Sequence, residues 1–207
     1  MTLWEDIKDI ETAKGCILSY YPMTNKFEND PALNSITLQD KYSILDFGCG
    51  IGRNLKFIIE HKRKREEIKR EQDIDEQLKL SKDVKVYGYD FDNMIIMAKQ
   101  YLGDVWNNAD FIRPPVSNLL GYKFDLIIAT LVFQHIPETE LRNILMILNN
   151  SMEDNGVMLI DSRGYMDDGL KNIWNILDDH FIRTTELVQT SDYHENYNAI
   201  FKKKETR

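Results

Sequence analysis

The sequence predicts an α/β domain in which helices cover both faces of a doubly wound, mostly parallel sheet of seven strands. Three observations support this prediction. Short apolar runs alternate with longer helical runs over most of the 207 residues, a pattern typical of parallel strands joined by helices. A glycine-rich turn follows the first apolar run. The last two runs are separated only by a polar stretch, which predicts an antiparallel hairpin at the C-terminal end of the sheet.

Five strands and four helices are predicted before this hairpin in the sequence. The strands are Ser43–Asp46, Val84–Tyr89, Asp110–Ile112, Asp125–Thr130 and Val157–Asp161. The helices are Asn54–His61, Met94–Leu102, Leu141–Ser151 and Asp168–Asp179. The third helix has apolar residues at the i, i+3, i+4, i+7 spacing of one buried face, and we expect it to end near Asn155-Gly156. Those apolar residues are Leu141, Ile144, Leu145 and Leu148. The hairpin strands are Ile182–Gln189 and Tyr197–Lys203.

Length and composition indicate one globular domain over residues 1–207. The chain has 43% hydrophobic and 29% charged residues, a composition typical of a soluble globular protein. No apolar run reaches the roughly 20 residues that cross a bilayer, and the N-terminus lacks the features of a secretory signal. We therefore expect a cytoplasmic protein without a membrane partner. The net charge of −8 argues against strong non-specific binding of nucleic acid. Cys16 and Cys49 provide neither a disulfide framework nor a zinc site.

Two segments lie outside the alternating pattern. Residues 1–42 are predicted to form a helical cap or lid on the core, because Trp4, Ile7 and Ile10 are spaced as on one side of a helix. Residues 60–83 carry eight basic and eight acidic side chains. We interpret them as a charged insertion that extends the first helix and its loop away from any ligand. A solvated helix with i, i+4 ion pairs is favoured over a patch that binds nucleic acid.

The segment between the first strand and the next helix carries the clearest functional signal. It reads Asp46-x-Gly48-x-Gly50-x-Gly52. Glycines in this position permit a tight turn and a close approach of the backbone to a ligand. A dinucleotide-binding motif would need a third glycine where the chain has Arg53, and a P-loop would need Gly-Lys followed by Ser or Thr. The loop therefore predicts a nucleotide-like ligand. Arg53 argues against NAD or FAD, and the missing Gly-Lys-Ser/Thr argues against a P-loop that binds phosphates.

An acid at the end of the second strand is suited to a ribose. Asp90 follows that strand directly, and one carboxylate can accept hydrogen bonds from both ribose hydroxyls. Asp90 lies 44 positions after Asp46, where roughly 20 residues between loop and acid are usual. The excess is close to the length of the charged insertion. Asp92 is an alternative ribose ligand, although its position favours capping the helix that follows.

These residues together resemble the class I S-adenosylmethionine-dependent methyltransferases, whose first motif is an acid followed by Gly-x-Gly-x-Gly. The resemblance covers residues 43–161 well and the C-terminal hairpin loosely. It implies a Rossmann-like fold, S-adenosylmethionine as cofactor with S-adenosylhomocysteine as product, and methyl transfer by in-line displacement, with no metal. The residues that it implies for cofactor binding are Asp46, Gly48, Cys49, Gly50, Asn54, Asp90, Phe91, Val116, Thr130 and Leu131.

The segment after the third strand departs from the family pattern at one position. The family has an acid there that contacts adenine, and this chain has Pro115. The backbone of Val116 can still serve adenine, with Ser117 or Asn118 as a partner for the exocyclic amine. The departure concerns how adenine is bound and leaves the cofactor class unchanged.

The segment after the fourth strand is expected to face both cofactor and acceptor, because ligands of open α/β sheets bind at the carboxyl ends of strands. Thr130 and Leu131 would then lie near the methionine part of the cofactor. His135 is a candidate general base, since imidazole titrates near neutrality, and packing of the loop is its alternative role. The predicted substrate and lid residues are Tyr20, Tyr21, Phe133 and Arg163.

The methyl acceptor is the part of the function that the sequence leaves open. A small molecule is the first hypothesis, because relatives with a short core and few additions commonly methylate small molecules. RNA or protein is favoured instead if the basic residues of 60–83 and Lys202–Lys204 lie on the side of the glycine loop. A non-catalytic binding or scaffold protein is the third reading. The intact acids and glycines argue against it, and Pro115 argues for it.

Overall fold

The computed structural model describes residues 3–18, 43–71, 84–163, 173–191 and 196–204. Eight strands of this part of the chain form one sheet: β1 (Ser43–Phe47), β2 (Lys85–Tyr89), β3 (Asp110–Ile112), β4 (Phe124–Thr130), β5 (Met152–Arg163), β6 (Phe181–Arg183), β7 (Val188–Ser191) and β8 (Asn196–Lys203). The α-helices are α1 (Ile10–Leu18), α2 (Arg53–Glu71), α3 (Asp92–Leu102), α4 (Glu138–Ser151) and α5 (Ile173–His180). None of the described helices is both long and apolar enough to cross a membrane.

The strand order confirms the predicted fold class. β3, β2, β1, β4 and β5 are parallel neighbours in that order, and β8 pairs antiparallel with β5. The first strand of the predicted hairpin is divided, since β6 and β7 both pair antiparallel with β8. Between them, the backbone N–H of Ile200 donates to Thr185 Oγ1 at 2.9 Å. This N–H bonds to a side-chain hydroxyl and not to a backbone carbonyl, which interrupts the ladder between β6 and β7. The described sheet therefore has eight strands, one more than the seven predicted.

The predicted range of the third helix ends at Ser151, where the observed helix ends, but the stop signal expected near Asn155-Gly156 does not mark that end. The helix, α4, ends at Ser151, and β5 begins at Met152. The pairing of β4 with β5 shifts in register where β5 passes Asn155 and Gly156, so these residues lie in an irregular part of the strand. A Cβ on Gly156 would come within 2.9 Å of the carbonyl oxygens of both Phe124 and Glu153. Close packing of two backbones, and not the end of a helix, explains this glycine.

Helices cover both faces of the sheet, as predicted. On one face, α2 packs its buried residues Leu55, Ile58 and Ile59 against the strands. On the other face, α4 and α5 pack against the sheet. The predicted apolar face of α4 is confirmed, because Leu141, Leu145 and Leu148 are fully buried and Ile144 is half-buried.

Helix α2 continues to Glu71, ten residues beyond its predicted end, so the first half of the charged insertion is helical. Lys62 Nζ donates to the Val84 carbonyl oxygen at 3.1 Å, just before β2 begins. The helix therefore runs from the carboxyl edge of the sheet, where it starts, towards the amino edge. Residues 72–83 of the predicted insertion lie outside the described part of the chain.

The N-terminal segment packs beside the glycine loop. Ile7 and Ala13 are buried against Ile51, which lies within the loop, and against α3. Asn93 Nδ2 donates to the carbonyl oxygens of Trp4 at 2.9 Å and Ile7 at 2.8 Å. These contacts hold residues 3–18 against the edge of the sheet where the strands end. Residues 19–42 of the predicted cap lie outside the described residues.

Candidate active site

Polar side chains replace apolar ones at the carboxyl edge of the sheet, on the face that α2 covers. The apolar residues of this face include Ile44, Ile128, Leu159 and Ile200, from four adjacent strands. Two positions nearer the carboxyl edge are Asp46, Thr130, Asp161 and Asn198. Side chains two residues apart in a strand share a face. Thr130, Asp161 and Asn198 are in register across β4, β5 and β8, and Asp46 is in register with Ile128, one step nearer the amino edge. This edge is where ligands bind in open α/β sheets.

The glycine loop is fixed by hydrogen bonds to the end of β2. The N–H groups of Gly48 and Cys49 both donate to the Tyr89 carbonyl oxygen, at 2.8 and 3.1 Å. Gly48 has φ of +69°, and a Cβ there would lie 2.4 Å from Val132 Cγ2. Both the backbone conformation and the close approach require glycine. Burial raises the pKa of the Cys49 thiol well above its ordinary value, which argues against a nucleophilic role.

Asp90 joins the glycine loop to the end of β2. Its Oδ2 accepts from the N–H of Gly50 at 2.7 Å, and its Oδ1 accepts from the N–H of Phe91 at 2.7 Å. Burial raises the pKa of this carboxyl to about 6, although both N–H groups act to lower it. Each carboxylate oxygen keeps a second lone pair. Asp90 can therefore hold the loop and still accept two hydrogen bonds from a ribose.

Asp46, Asn54 and Thr130 form a buried network beneath the loop. Asn54, in the first turn of α2, donates through Nδ2 to Asp46 Oδ1 at 3.1 Å and to Thr130 Oγ1 at 3.2 Å. Asp46 is 1% exposed and Asn54 is 6% exposed. Within the described part of the chain, Asp46 Oδ2 and Asn54 Oδ1 are buried acceptors without a hydrogen-bond partner. Burial raises the pKa of Asp46 to about 7. Unsatisfied acceptors at this position fit a ligand that brings donors.

The turn after β4 has a strained residue at its start. Leu131 has φ of +57°, a conformation that costs a non-glycine residue about 1–3 kcal/mol. Its N–H donates to the Asp161 carbonyl oxygen at 2.7 Å, which fixes the turn to the end of β5. The next residue is Val132, whose side chain covers Gly48. The turn after β4 and the glycine loop are therefore packed directly against each other.

Gln134 connects this turn to β5, a role that no sequence pattern indicates. Its Oε1 accepts from Ser162 Oγ at 3.0 Å and from the N–H of Arg163 at 3.2 Å. The amide nitrogen therefore faces His135, with 3.4 Å between the two Nε2 atoms. Because an amide NH2 only donates, this arrangement assigns the proton of neutral His135 to Nδ1. The His135 ring also lies 5.9 Å from the Trp4 ring, edge to face.

The predicted site residues converge on this edge to different degrees. Val116 is half-buried and follows β3, and Arg163 is half-buried at the end of β5. Phe133 is 1% exposed and packs against Phe47, so its side chain belongs to the core. Tyr20 and Tyr21 lie outside the described residues. The roles assigned to these side chains, and the base role of His135, remain predictions.

The comparison with protein families decides the class. Residues 45–158 match a family model described as a methyltransferase domain. The chain belongs to this family. The predicted family and enzyme class are thereby confirmed, and S-adenosylmethionine is the methyl donor that goes with this domain. A comparison of the methyltransferase sequence with curated proteins gives no match.

Solved structures resemble this methyltransferase over nearly its full length. The N-methyltransferase NodS from Bradyrhizobium japonicum WM9, in complex with S-adenosyl-L-homocysteine, has 15% identity and a TM-score of 0.59, with 97% of this chain and 90% of NodS covered. A TehB-like SAM-dependent methyltransferase from Corynebacterium glutamicum has 16% identity and a TM-score of 0.63, with 94% and 96% covered. Human N-acetylserotonin methyltransferase, in complex with SAM, has 12% identity and a TM-score of 0.59, with 94% and 55% covered. At these identities the likeness establishes the fold.

Proposed function

We propose that this methyltransferase binds S-adenosylmethionine across the carboxyl ends of β1, β2 and β4 and transfers its methyl group to a small molecule. The cofactor supplies a methyl group already activated by a positively charged sulfur. The task of the protein is then to hold the acceptor in line with that group and to exclude water. Positioning of this kind can contribute roughly 7–11 kcal/mol.

The cofactor part of the proposal is supported by the fit between the buried polar groups and the donors of the ligand. Asp90 retains acceptor capacity for the ribose, and Asp46 and Asn54 each have an oxygen that no described residue satisfies. Gly48 lets the backbone turn where any side chain would clash with Val132. We assign the ribose to Asp90 and the methionine part to the region between Asp46 and Thr130. The half-buried Val116 is the proposed neighbour of adenine.

The choice of a small acceptor is carried by the positions of Lys62 and Lys202, two basic residues of the described part of the chain. Lys62 contacts the carbonyl of Val84 before β2, and Lys202 pairs with Val157 in the amino half of β5. Both lie towards the amino edge of the sheet, opposite the glycine loop. An RNA acceptor would need an excess of cationic groups beside the site. Arg53 and Arg163 lie at the carboxyl edge, but they stand there beside the buried acids Asp46 and Asp161.

A ligand titration followed by an acceptor screen tests the proposal. Calorimetry with S-adenosylhomocysteine should give saturable binding, and NAD at the same concentrations should give none. Transfer of labelled methyl from S-adenosylmethionine should then be compared for pools of small amines and hydroxy compounds, for RNA and for protein. Labelling of small molecules alone supports the proposal. Labelling of RNA or protein alone contradicts the choice of acceptor, and failure to bind S-adenosylhomocysteine contradicts the cofactor site.

A further inference from the structure

The network beneath the glycine loop has too few donors for its acceptors among the described residues. One oxygen of Asp46 and the side-chain oxygen of Asn54 accept no hydrogen bond there. Asn54 Nδ2 serves both Asp46 Oδ1 and Thr130 Oγ1, which leaves Asp46 Oδ2 and Asn54 Oδ1 buried without a donor in the described residues. A buried polar atom without a partner is unfavourable, and an ionised one is more so. In the free protein, a proton on Asp46 removes the charge and adds a donor to the network.

We propose that cofactor binding in this protein is coupled to release of a proton from Asp46. This inference rests on the proposed function, because it assigns a consequence to the same site. S-adenosylmethionine carries a sulfonium and an ammonium group, and S-adenosylhomocysteine carries the ammonium group. A cationic donor placed next to Asp46 stabilises the carboxylate over the carboxylic acid. The proton passes to the solvent when the ligand binds, so affinity rises with pH until Asp46 is ionised in the free protein.

The surroundings of Asp46 support this direction. Burial raises its pKa to about 7, and the negative charge of Asp90, after β2, acts in the same direction. The Asn54 hydrogen bond and the positive charge of Arg53, both from α2, act to lower it. From the loop, Cys49 faces the site as a neutral thiol because burial raises its pKa well above the ordinary value. Burial is the largest of these effects, so the pKa of Asp46 in the free protein is raised from its ordinary value to about 7.

Calorimetry in buffers with different ionisation enthalpies counts the protons released per bound S-adenosylhomocysteine. At pH 7, Asp46 with a pKa of about 7 should release about half a proton, whereas Asp90 with a pKa of about 6 should add only about a tenth. Between pH 6 and pH 8, ionisation of Asp46 should raise the affinity about tenfold. The Asp46→Asn variant should lose the half proton at pH 7. The matched control is Asp104→Asn, which removes an exposed carboxyl from the short helix after α3.

Each outcome of this experiment is decisive. Binding of S-adenosylhomocysteine by the wild-type protein without proton release at pH 7 would overturn the inference and leave the proposed function intact. Equal release from wild-type protein and Asp46→Asn would also overturn it. Absence of binding at every pH would overturn the proposed function and this inference together. If Asp46→Asn does not fold, the wild-type release measured from pH 6 to pH 8 still decides, because a pKa near 7 predicts a decline towards zero at pH 8.

Discussion

Asp90 combines a structural and a ligand-binding role in one side chain. Its two oxygens hold the N–H groups of Gly50 and Phe91, and the remaining lone pairs are assigned to the ribose. Asp90→Ala should therefore weaken S-adenosylhomocysteine binding by roughly 1.5–3 kcal/mol, the range for hydrogen bonds to a charged group. Titration calorimetry at pH 7 measures this difference.

The neighbouring acid provides the control for this prediction. Asp92 is exposed and forms a 3.4 Å ion pair with Arg113 at the surface. Asp92→Ala should leave the affinity unchanged within about twofold, because exposed ion pairs contribute little. If Asp92→Ala weakens binding and a folded Asp90→Ala does not, the ribose belongs to Asp92 and the assignment to Asp90 is wrong.

Asp46 should make the stability of the free protein depend on pH. Its folded-state pKa of about 7 lies above the ordinary value of 3.8. The folded state therefore holds the proton more tightly than the unfolded state. The free energy of unfolding should fall as pH rises from about 4 to about 7, by up to about 4 kcal/mol from this group, and then level off.

Asparagine at position 46 removes this titration while keeping an oxygen that can accept from Asn54. The stability of Asp46→Asn relative to wild-type protein should therefore increase between pH 4 and pH 7 and stay constant above pH 8. Urea unfolding at pH 5 and pH 8, followed by circular dichroism, measures the two differences. A difference that does not change with pH would show that Asp46 is already ionised in the free protein.

At the scale of elements, the glycine loop and the turn after β4 behave as one packed unit. A Cβ at position 48 would meet Val132 Cγ2 at 2.4 Å, and the backbone there has positive φ. Gly48→Ala should destabilise the protein by about 1–3 kcal/mol through overpacking and strain. Adding Val132→Ala should recover part of this loss, because it removes the clash but not the strain. A double-mutant cycle of unfolding free energies measures the recovery.

Gly121→Ala is the control for this cycle. A Cβ at Gly121 would have no neighbour within 4 Å among residues 3–18, 43–71, 84–163, 173–191 and 196–204, so the unfolding free energy should change by less than about 0.5 kcal/mol. If Val132→Ala recovers nothing in the Gly48→Ala background, the two segments move apart independently and are not one unit.

The sequence predicts best those features that depend on residues close together in the chain. Gly48 is recognisable because a tight turn after β1 restricts the residue type, and Asp90 is recognisable because it ends an apolar strand. Gly156 resembles a helix end in the sequence, whereas its cause is the close approach of two carbonyl oxygens, of Glu153 in the same strand and of Phe124 on β4, both 2.9 Å from a Cβ placed there. No sequence pattern marks Gln134, because its partners Ser162 and Arg163 lie on β5. Contacts between distant segments leave no local pattern.

At the scale of the whole molecule, the two edges of the sheet differ in chemistry. β8 runs from Asn196, near the carboxyl edge of β5, to Lys203 near its amino edge. At about 3.4 Å per residue this strand separates the two by roughly 24 Å. Lys203 forms an ion pair with Asp154, and the Lys204 ammonium donates a hydrogen bond to the carbonyl oxygen of Asp179. The lysines at the end of β8 therefore lie at the amino edge, far from the buried acids of the site.

This separation predicts how the protein responds to nucleic acid. A net charge of −8 and the distance of Lys62 and Lys202 from the site should prevent saturable binding of a labelled single-stranded RNA at physiological salt. Weak binding at 50 mM salt should disappear at 200 mM, and Lys202→Gln should reduce it without changing the affinity for S-adenosylhomocysteine. Fluorescence anisotropy and calorimetry measure the two affinities. Tight RNA binding that persists at 200 mM salt and strengthens with bound S-adenosylhomocysteine would instead mean that RNA reaches the carboxyl edge, where the acceptor must lie.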